Sequence, residues 1–436
     1  MPPAPSTSRL GAGDLLAVSF GTSVVMWFLG YLSRVLPWAP PAWVVAALLL
    51  ACLLAGGFAA GRLTDRGATG GALAGLVASL VNLMVLGSLV GGSRPNELLP
   101  SAAWWLPGSL LAGAALGWLG ALAAGSRGAS RLRPVNWTGA LAAVAAAATF
   151  LLIVAGGLVT SHEAGLAVVD WPNSYGYNLF LYPLSRMTGG IYYEHAHRLA
   201  GSLVGLTTLV LAIHLQRVER RAWVKLLGWA ALAAVIVQGV LGGLRVTGHF
   251  TLATSPDAVA PNIVLAVVHG TLAQLFFCLV IALAAFTSTG WLVAPTPRED
   301  ARAAVDRAFT TLLVPVLIVQ LVLGAVQRHL SQMLMVHIAF AMVVVILAMA
   351  VAVRATSLYG REPVLRRLGR ATIWLVSIQV TLGVLAFAAV STREPGAAPD
   401  TLEVLAATAH QANGALLLGV AMLLLVWQRR LLAPER

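Results

Sequence analysis

Twelve runs of about twenty apolar residues dominate the chain, each long enough to cross the hydrocarbon core of a bilayer as a helix. They fall near 15–36, 42–61, 70–90, 104–124, 137–159, 195–216, 224–245, 262–287, 308–327, 331–353, 371–392 and 402–428, and clusters of Arg, Pro, Asp or Gly bound them. Of the 436 residues 59% are hydrophobic and only 10% charged, with a mean hydropathy of +0.85. A soluble domain carries about 25% charged residues, so a water-facing surface is excluded. The expected fold is all-α, a polytopic membrane protein of about twelve spans. The first fourteen residues lack a basic segment, short apolar stretch and small-residue cleavage site, so Leu15 onward is expected to be a retained span. Cys52 and Cys278 lie inside apolar runs and form neither a disulfide framework nor a CxxC metal knuckle.

The net charge of +12 reports orientation rather than nucleic-acid binding. With the N-terminus in the cytoplasm, the inward loops hold Arg9; Arg62 and Arg66; Arg127, Arg131 and Arg133; Arg217, Arg220, Arg221 and Lys225; Arg298, Arg302 and Arg307; Arg354, Arg361, Arg366, Arg367 and Arg370; and Arg429, Arg430 and Arg436. These are 21 of the 28 basic residues; Arg34, Arg94, Arg186, Arg198, Arg245, Arg328 and Arg393 remain on the other side. Basic residues in short loops mark the cytoplasmic face, so both termini are expected inside; the expected location is a bacterial-type inner (cytoplasmic) membrane.

Alternate spans share a short pattern. Gln238-x-x-Leu241-Gly242, Gln320-x-x-Leu323-Gly324 and Gln379-x-x-Leu382-Gly383 occupy corresponding places in the seventh, ninth and eleventh runs. The fifth ends with Gly156-Gly157-Leu158-Val159, without the Gln. One copy would be generic helix packing; three suggest duplicated helix pairs. The even-numbered partners carry His197, His269, His337 and His410, each a few residues inside the outer boundary, while the first four spans have no histidine.

Ionisable side chains inside a membrane are costly and are functional candidates by default. Histidines on facing helices can ligate a heme iron from both sides, and four would make two sites. Zinc needs four ligands converging on one point, whereas these are spread along separate helices. A proton relay would draw on membrane carboxylates, and only Glu194 and Glu403 lie near a span. Glu194 precedes His197 by three residues and shares its helical face; it is a candidate acid/base or cation stabiliser, though a helix-start Glu can simply favour the dipole. Arg245 and Arg328 follow the repeats directly, where they could bind heme propionates or snorkel to the interface.

The ordered motifs resemble the heme A synthase family. Its first outer loop is similar to Gly156-Gly157-Leu158, Ala164-Gly165-Leu166 and Asp170-Trp171-Pro172; its Glu-x-x-His-Arg signature to Glu194, His197 and Arg198. Its third and fourth helices resemble Val240–Thr247 and Val268–Gln274, and its later lone histidines His337 and His410. The resemblance covers about 135–430 and implies two pseudo-symmetric four-helix bundles. Heme O would be the substrate and heme A the product, the C8 methyl becoming a formyl group with water as oxygen source. Glu194 would be catalytic, His197 and His269 would hold the substrate heme, and His337 and His410 a bound heme b through which electrons leave; Arg198, Arg245 and Arg328 would assist cofactor binding. The cysteine pair found in the first outer loop of many bacterial members is missing from residues 160–193.

The expected domains are 1–130, a four-helix membrane extension; 135–290, a first heme bundle; and 306–430, a second. Arg127–Pro134 reads as a linker. His195, about 160° from His197 around a helix, is expected to face away from the site; His162, His249 and His329 are expected at the interface, His249 as a pocket lid. Besides heme O and the lipid bilayer, partners implied are the heme O synthase (a prenyltransferase) or oxidase subunits, with a homo-oligomer open and no nucleic acid. The alternative function is a di-heme b protein carrying electrons to or from quinone without modifying heme. A transporter would need broken helices and a midplane polar site, which the sequence does not suggest.

Overall fold

The computed structural model describes residues 12–35, 38–125, 135–248 and 261–435. Arg9, the Arg127–Pro134 stretch, His249 and Arg436 lie outside them.

Among the described residues, twelve helices are long and apolar enough to cross a membrane. They are α1 (Gly13–Val35), α2 (Ala42–Leu63), α3 (Gly67–Val90), α4 (Ala102–Ala123), α5 (Trp137–Ser161), α6 (Gly189–Val218), α7 (Ala222–Thr247), α8 (Ile263–Thr287), α10 (Ala303–Leu330), α11 (Leu334–Ser357), α12 (Pro363–Ser391) and α13 (Thr401–Leu431); α9 (Thr289–Leu292) is a single turn between spans. The chain is an all-α polytopic membrane protein; among the described residues its only strands are the two-residue parallel pair β1 (Arg298–Glu299) and β2 (Leu432–Ala433). Helices α6 and α10 begin five or six residues before their apolar runs, since a helix can continue into the interfacial layer wherever its side chains find partners there. Tyr192 illustrates this, stacking on Tyr31 of α1 at 5.6 Å and donating its hydroxyl to the Tyr31 carbonyl at 2.9 Å.

Helices α5 to α8 pack in a closed ring, and α10 to α13 form a second. The rings meet where α5 touches α13, α10 touches α8, and α8 touches α13. Exchanging α5 with α10 and α8 with α13 turns the first contact into the second and leaves the third unchanged, which is the signature of a pseudo-two-fold axis. Helices α1 to α4 pack on one another and reach the first ring through α1, on α5 and α6, and α3, on α6. Within this extension α3 and α4 approach closely enough that a Cβ on Gly71 or Gly75 would overlap the backbone of Gly117 or Gly113, the close approach that small residues permit between membrane helices.

Two clusters repeat at the ends of the rings opposite the four histidines. Thr138 of α5 lies 18 residues before Gly156, and Asp306 of α10 lies 18 before Gly324; His214 and Arg354 each lie 17 after His197 and His337. Thr138 Oγ1 and His214 Nε2 are hydrogen-bonded at 3.0 Å, and Arg354 Nε donates to Asp306 in the equivalent place. The duplication therefore runs the length of the helix pairs.

Candidate functional site

Each repeated glycine is the seat of an imidazole on the next helix. A Cβ on Gly156, Gly324 or Gly383 would stand 3.0 Å from Cε1 of His197, His337 or His410, and one on Gly242 would stand 3.3 Å from Cε1 of His269. In three of the four copies the Gln one turn earlier donates to the backbone carbonyl of the same histidine: Gln238 to His269, Gln320 to His337 and Gln379 to His410, each at 3.1 Å. The Gln-x-x-Leu-Gly pattern is thus a socket for the neighbouring His. Gly157 faces the other way, onto Thr408 and Gln411 of α13.

The four rings meet in twos. His197 and His269 have centroids 6.5 Å apart with planes at 83°, and His337 and His410 are 6.4 Å apart at 72°. A metal–imidazole bond is about 2.0 Å long and the bonding nitrogen lies roughly 1.15 Å from its ring centre, so imidazoles on opposite sides of one metal have centres about 6.3 Å apart. Both separations agree with that arrangement. No group of three or more His, Cys, Asp or Glu that could hold a metal ion gathers among the described residues, and each pair offers two imidazoles.

Around the first pair, Glu194 is 4% exposed; its Oε1 accepts from Arg198 Nε at 3.1 Å while its Oε2 is buried without a partner. Arg198 also donates from Nη1 to the carbonyls of Asp170 (2.6 Å) and Asn173 (2.9 Å) and from Nη2 to that of Val168 (2.8 Å). Its fork is therefore spent on Glu194 and on the loop that covers this end of the ring. Asp170 fastens the same loop by accepting from the amides of Tyr175 (2.7 Å) and Gly176 (2.9 Å), and Trp171 lies flat on Gly243. His195 bonds Ser174 Oγ through Nδ1 at 2.9 Å and is fully buried; it holds the loop while His197 faces His269.

The arginines divide. Arg245 packs its guanidinium on Gly165, within electrostatic reach of Glu194, His197 and His269. Arg328 donates Nη2 to the Thr160 carbonyl at 2.8 Å, across the pseudo-axis. Arg393, beyond the end of α12, pairs with Glu163 at 2.9 Å and approaches buried Glu403 at 3.4 Å. His162 caps α5 and stacks on Tyr193 with centroids 3.9 Å apart; burial pushes it below its ordinary value, so the ring is neutral at pH 7. His329 ends α10 beside Arg328, partly buried. His214, 7% exposed, was not singled out by its sequence context; its offset from His197, matched by Arg354 and His337, is the signal that finds it.

Residues 139–339 match the COX15-CtaA family model, described as cytochrome oxidase assembly protein. The matched segment runs from the start of α5 to His337 and its neighbours in α11, rather less than half of the chain. It contains His197, His269, Glu194 and the loop that Arg198 anchors. A comparison with curated proteins finds no match.

Proposed function

We propose that the protein is a heme A synthase-type oxidoreductase that takes heme O as substrate at His197 and His269, holds a heme b at His337 and His410, and releases heme A. The observation that carries the reading is an asymmetry between two otherwise equivalent histidine pairs. Three residues before His197 stands the buried carboxylate of Glu194 with one oxygen unpartnered; three residues before His337 stands Leu334. A purely electron-carrying pair of hemes has no use for that difference. The match of 139–339 to a cytochrome oxidase assembly family supports the same reading.

Bound heme would supply the methyl group to be oxidised at the first pair and a redox centre at the second. The chain's own residues do the rest. Glu194 Oε2 can take a proton from water and offset developing positive charge, and Arg198 fixes the carboxylate by occupying Oε1. The loop 163–188, pinned by Arg198, Asp170 and His195, limits water at that end. Arg245, whose guanidinium lies on Gly165 near Glu194, His197 and His269, is suited to a carboxylate of the substrate; Arg328, which bonds the Thr160 carbonyl through Nη2, is suited to the same purpose. The distribution of basic residues supports cytoplasmic termini and sites toward the outer face of an inner membrane. The extension formed by α1 to α4 is read as a packing or assembly element whose partners would be a heme O synthase or an oxidase subunit.

Glu194→Ala provides the test. The variant is expected to retain both hemes while producing no formyl heme, with heme B and heme O in extracts of the purified protein. Undiminished heme A from Glu194→Ala, or heme B alone at two per chain in the wild type, would overturn the proposal, the latter in favour of a di-heme electron carrier.

A further inference from the structure

The loop that covers the first histidine pair is held from two sides. Its first half, 163–176, is fastened to its own ring by Arg198 and His195. Its second half, 177–187, rests on the extension. Gly87 of α3 and Gly91 at its end let the loop approach so closely that a Cβ on either would stand 2.1 Å from the Phe180 carbonyl oxygen or 2.2 Å from that of Leu181. The α3–α4 turn then supplies acceptors. The Ser93 carbonyl accepts from the Tyr177 hydroxyl and from Arg186 Nη2 (3.1 Å), and Asn96 Oδ1 accepts from the Asn178 amide at 3.0 Å. That turn is closed on itself, Gly92 donating to the Glu97 carbonyl at 2.7 Å and Leu99 to that of Val90 at 2.8 Å. Asn96 takes the left-handed conformation (φ 62°) that asparagine tolerates. The two halves of the loop are stitched by reciprocal backbone bonds between Ser174 and Tyr177, 3.0 Å each. Ser174 in turn bonds His195, and Tyr182, edge-on to Tyr177 at 5.5 Å, packs on His195 at 4.9 Å. The residue before His195 is Glu194.

From this continuity we infer that the α3–α4 turn of the extension is a positioning element for the first histidine pair: it holds 177–187 against the end of the ring and, through Ser174, Tyr182 and His195, keeps Glu194 in place against the substrate. The inference rests on the proposed function, which makes this end of the ring the place of oxidation. It gives the extension a task inside the chain, whatever partner it also docks. A displacement of about 1 Å in a catalytic group can cost about 100-fold in rate, and a loop tied along one half only can open about that half by local unfolding. The second ring has no such loop to hold: α10 and α11 are joined by residues 331–333 alone, α5 and α6 by 162–188. The extension packs on the ring that carries the long loop, at α5 and α6. Gly87, Gly91, Ser93 and Asn96 are positioning residues; they touch the loop, not the heme.

Gly87→Ala and Gly91→Ala test this in the full-length protein, produced together with a heme O synthase. Alanine inside α3 is a better helix former than glycine, and Gly91 has φ −68°, open to any residue, so the added methyl acts on the loop carbonyls rather than on its own backbone. Gly108→Ala, on α4 with nothing within 4 Å of its Cβ, is the control, and Tyr177→Phe removes one bond to Ser93 without adding bulk. Hydrogen exchange across 163–188 is expected to quicken by about tenfold in the two glycine variants. Formyl heme as a share of the heme at the first pair should fall by about tenfold, while the heme at the second pair keeps its amount and its low-spin electron paramagnetic resonance signal. General loosening of the fold would alter that second centre too. Tyr177→Phe should move both readouts the same way by a smaller factor. Exchange unchanged in both glycine variants overturns the inference, as does a loosened loop with an undiminished formyl share, or Gly108→Ala matching the other two; each leaves the functional reading intact. Heme B alone at two per chain in the wild type overturns the functional reading, and the inference with it, whatever the loop does.

Discussion

Gly383 lies directly beneath the imidazole of His410, where a methyl group would stand 3.0 Å from Cε1. That is closer than a carbon comfortably approaches a ring, so Gly383→Ala must push the ring aside or part α12 from α13. Overpacking of this kind costs about 1–3 kcal/mol. Gly156→Ala and Gly324→Ala meet the same 3.0 Å limit, whereas Gly242→Ala has 3.3 Å to its histidine. Heme content and thermal midpoint are therefore expected to fall least in Gly242→Ala. A larger loss there than in the other three would show that the glycines do not act as seats.

Arg198 is expected to tolerate no substitute. Its buried fork satisfies one carboxylate oxygen and three loop carbonyls, and lysine, a point charge with one nitrogen, cannot span them. Stripping the partner from a buried charge costs about 3–5 kcal/mol. Arg198→Lys should lower the thermal midpoint and expose the loop 163–188 to added protease before the helices are cut. A loop that stays protected in Arg198→Lys would argue that Asp170 and His195 suffice to hold it.

The twelve spans were legible because an apolar run of twenty residues has few alternatives, and the pairing of the histidines because their motifs recur on alternate spans. The Glu194-x-x-His197 spacing separates His197 from His195, which the structure turns toward Ser174. What Arg198 binds was not legible: its partners are mostly backbone carbonyls, which every residue carries and no motif marks. Nor could sequence divide the labour of Gly156 and Gly157, one facing His197 within its ring and the other facing α13 across the pseudo-axis; adjacent helical residues differ by about 100°, and which neighbour occupies each direction is a property of the assembled bundle. His214 went unnoticed because its partner Thr138 lies 76 positions away.

Acid should erase one stabilising contact at the end of the protein away from the histidines. Asp300 sits between Arg298 (3.1 Å) and Arg302 (3.0 Å), and chiefly its bond to Arg302 holds its carboxyl down to about 2. A carboxyl lowered on folding contributes stability that is complete above its unfolded value, near 4, and is lost as pH falls from there through its folded value of about 2. Both arginines are about half exposed, so the contribution is at most about 1 kcal/mol and is screened by salt. Asp300→Asn should be slightly less stable than wild type at pH 7, and the gap should close as pH falls below about 2. A gap that persists in acid would mean that Asp300 acts through its backbone bond to Ala433 instead.

The matched clusters Thr138–His214 and Asp306–Arg354 predict unequal costs at equivalent positions. Asp306 is 2% exposed and accepts from Arg354 Nε and from the hydroxyl of fully buried Tyr359. Burial and the neighbouring carboxylate raise the Tyr359 hydroxyl above its ordinary value, so it stays a neutral donor across the working pH range. Asp306→Ala strands both donors, one of them charged and two-thirds covered, and is expected to cost about 3 kcal/mol. Thr138→Ala removes a single neutral hydrogen bond at the same place in the first ring and should cost about 1 kcal/mol. Pairing Asp306→Ala with Arg354→Leu, which removes the stranded charge, should recover part of the loss. If the double variant in a thermal or denaturant melt is as unstable as the sum of the single changes, the two residues act independently and the cluster is not a unit.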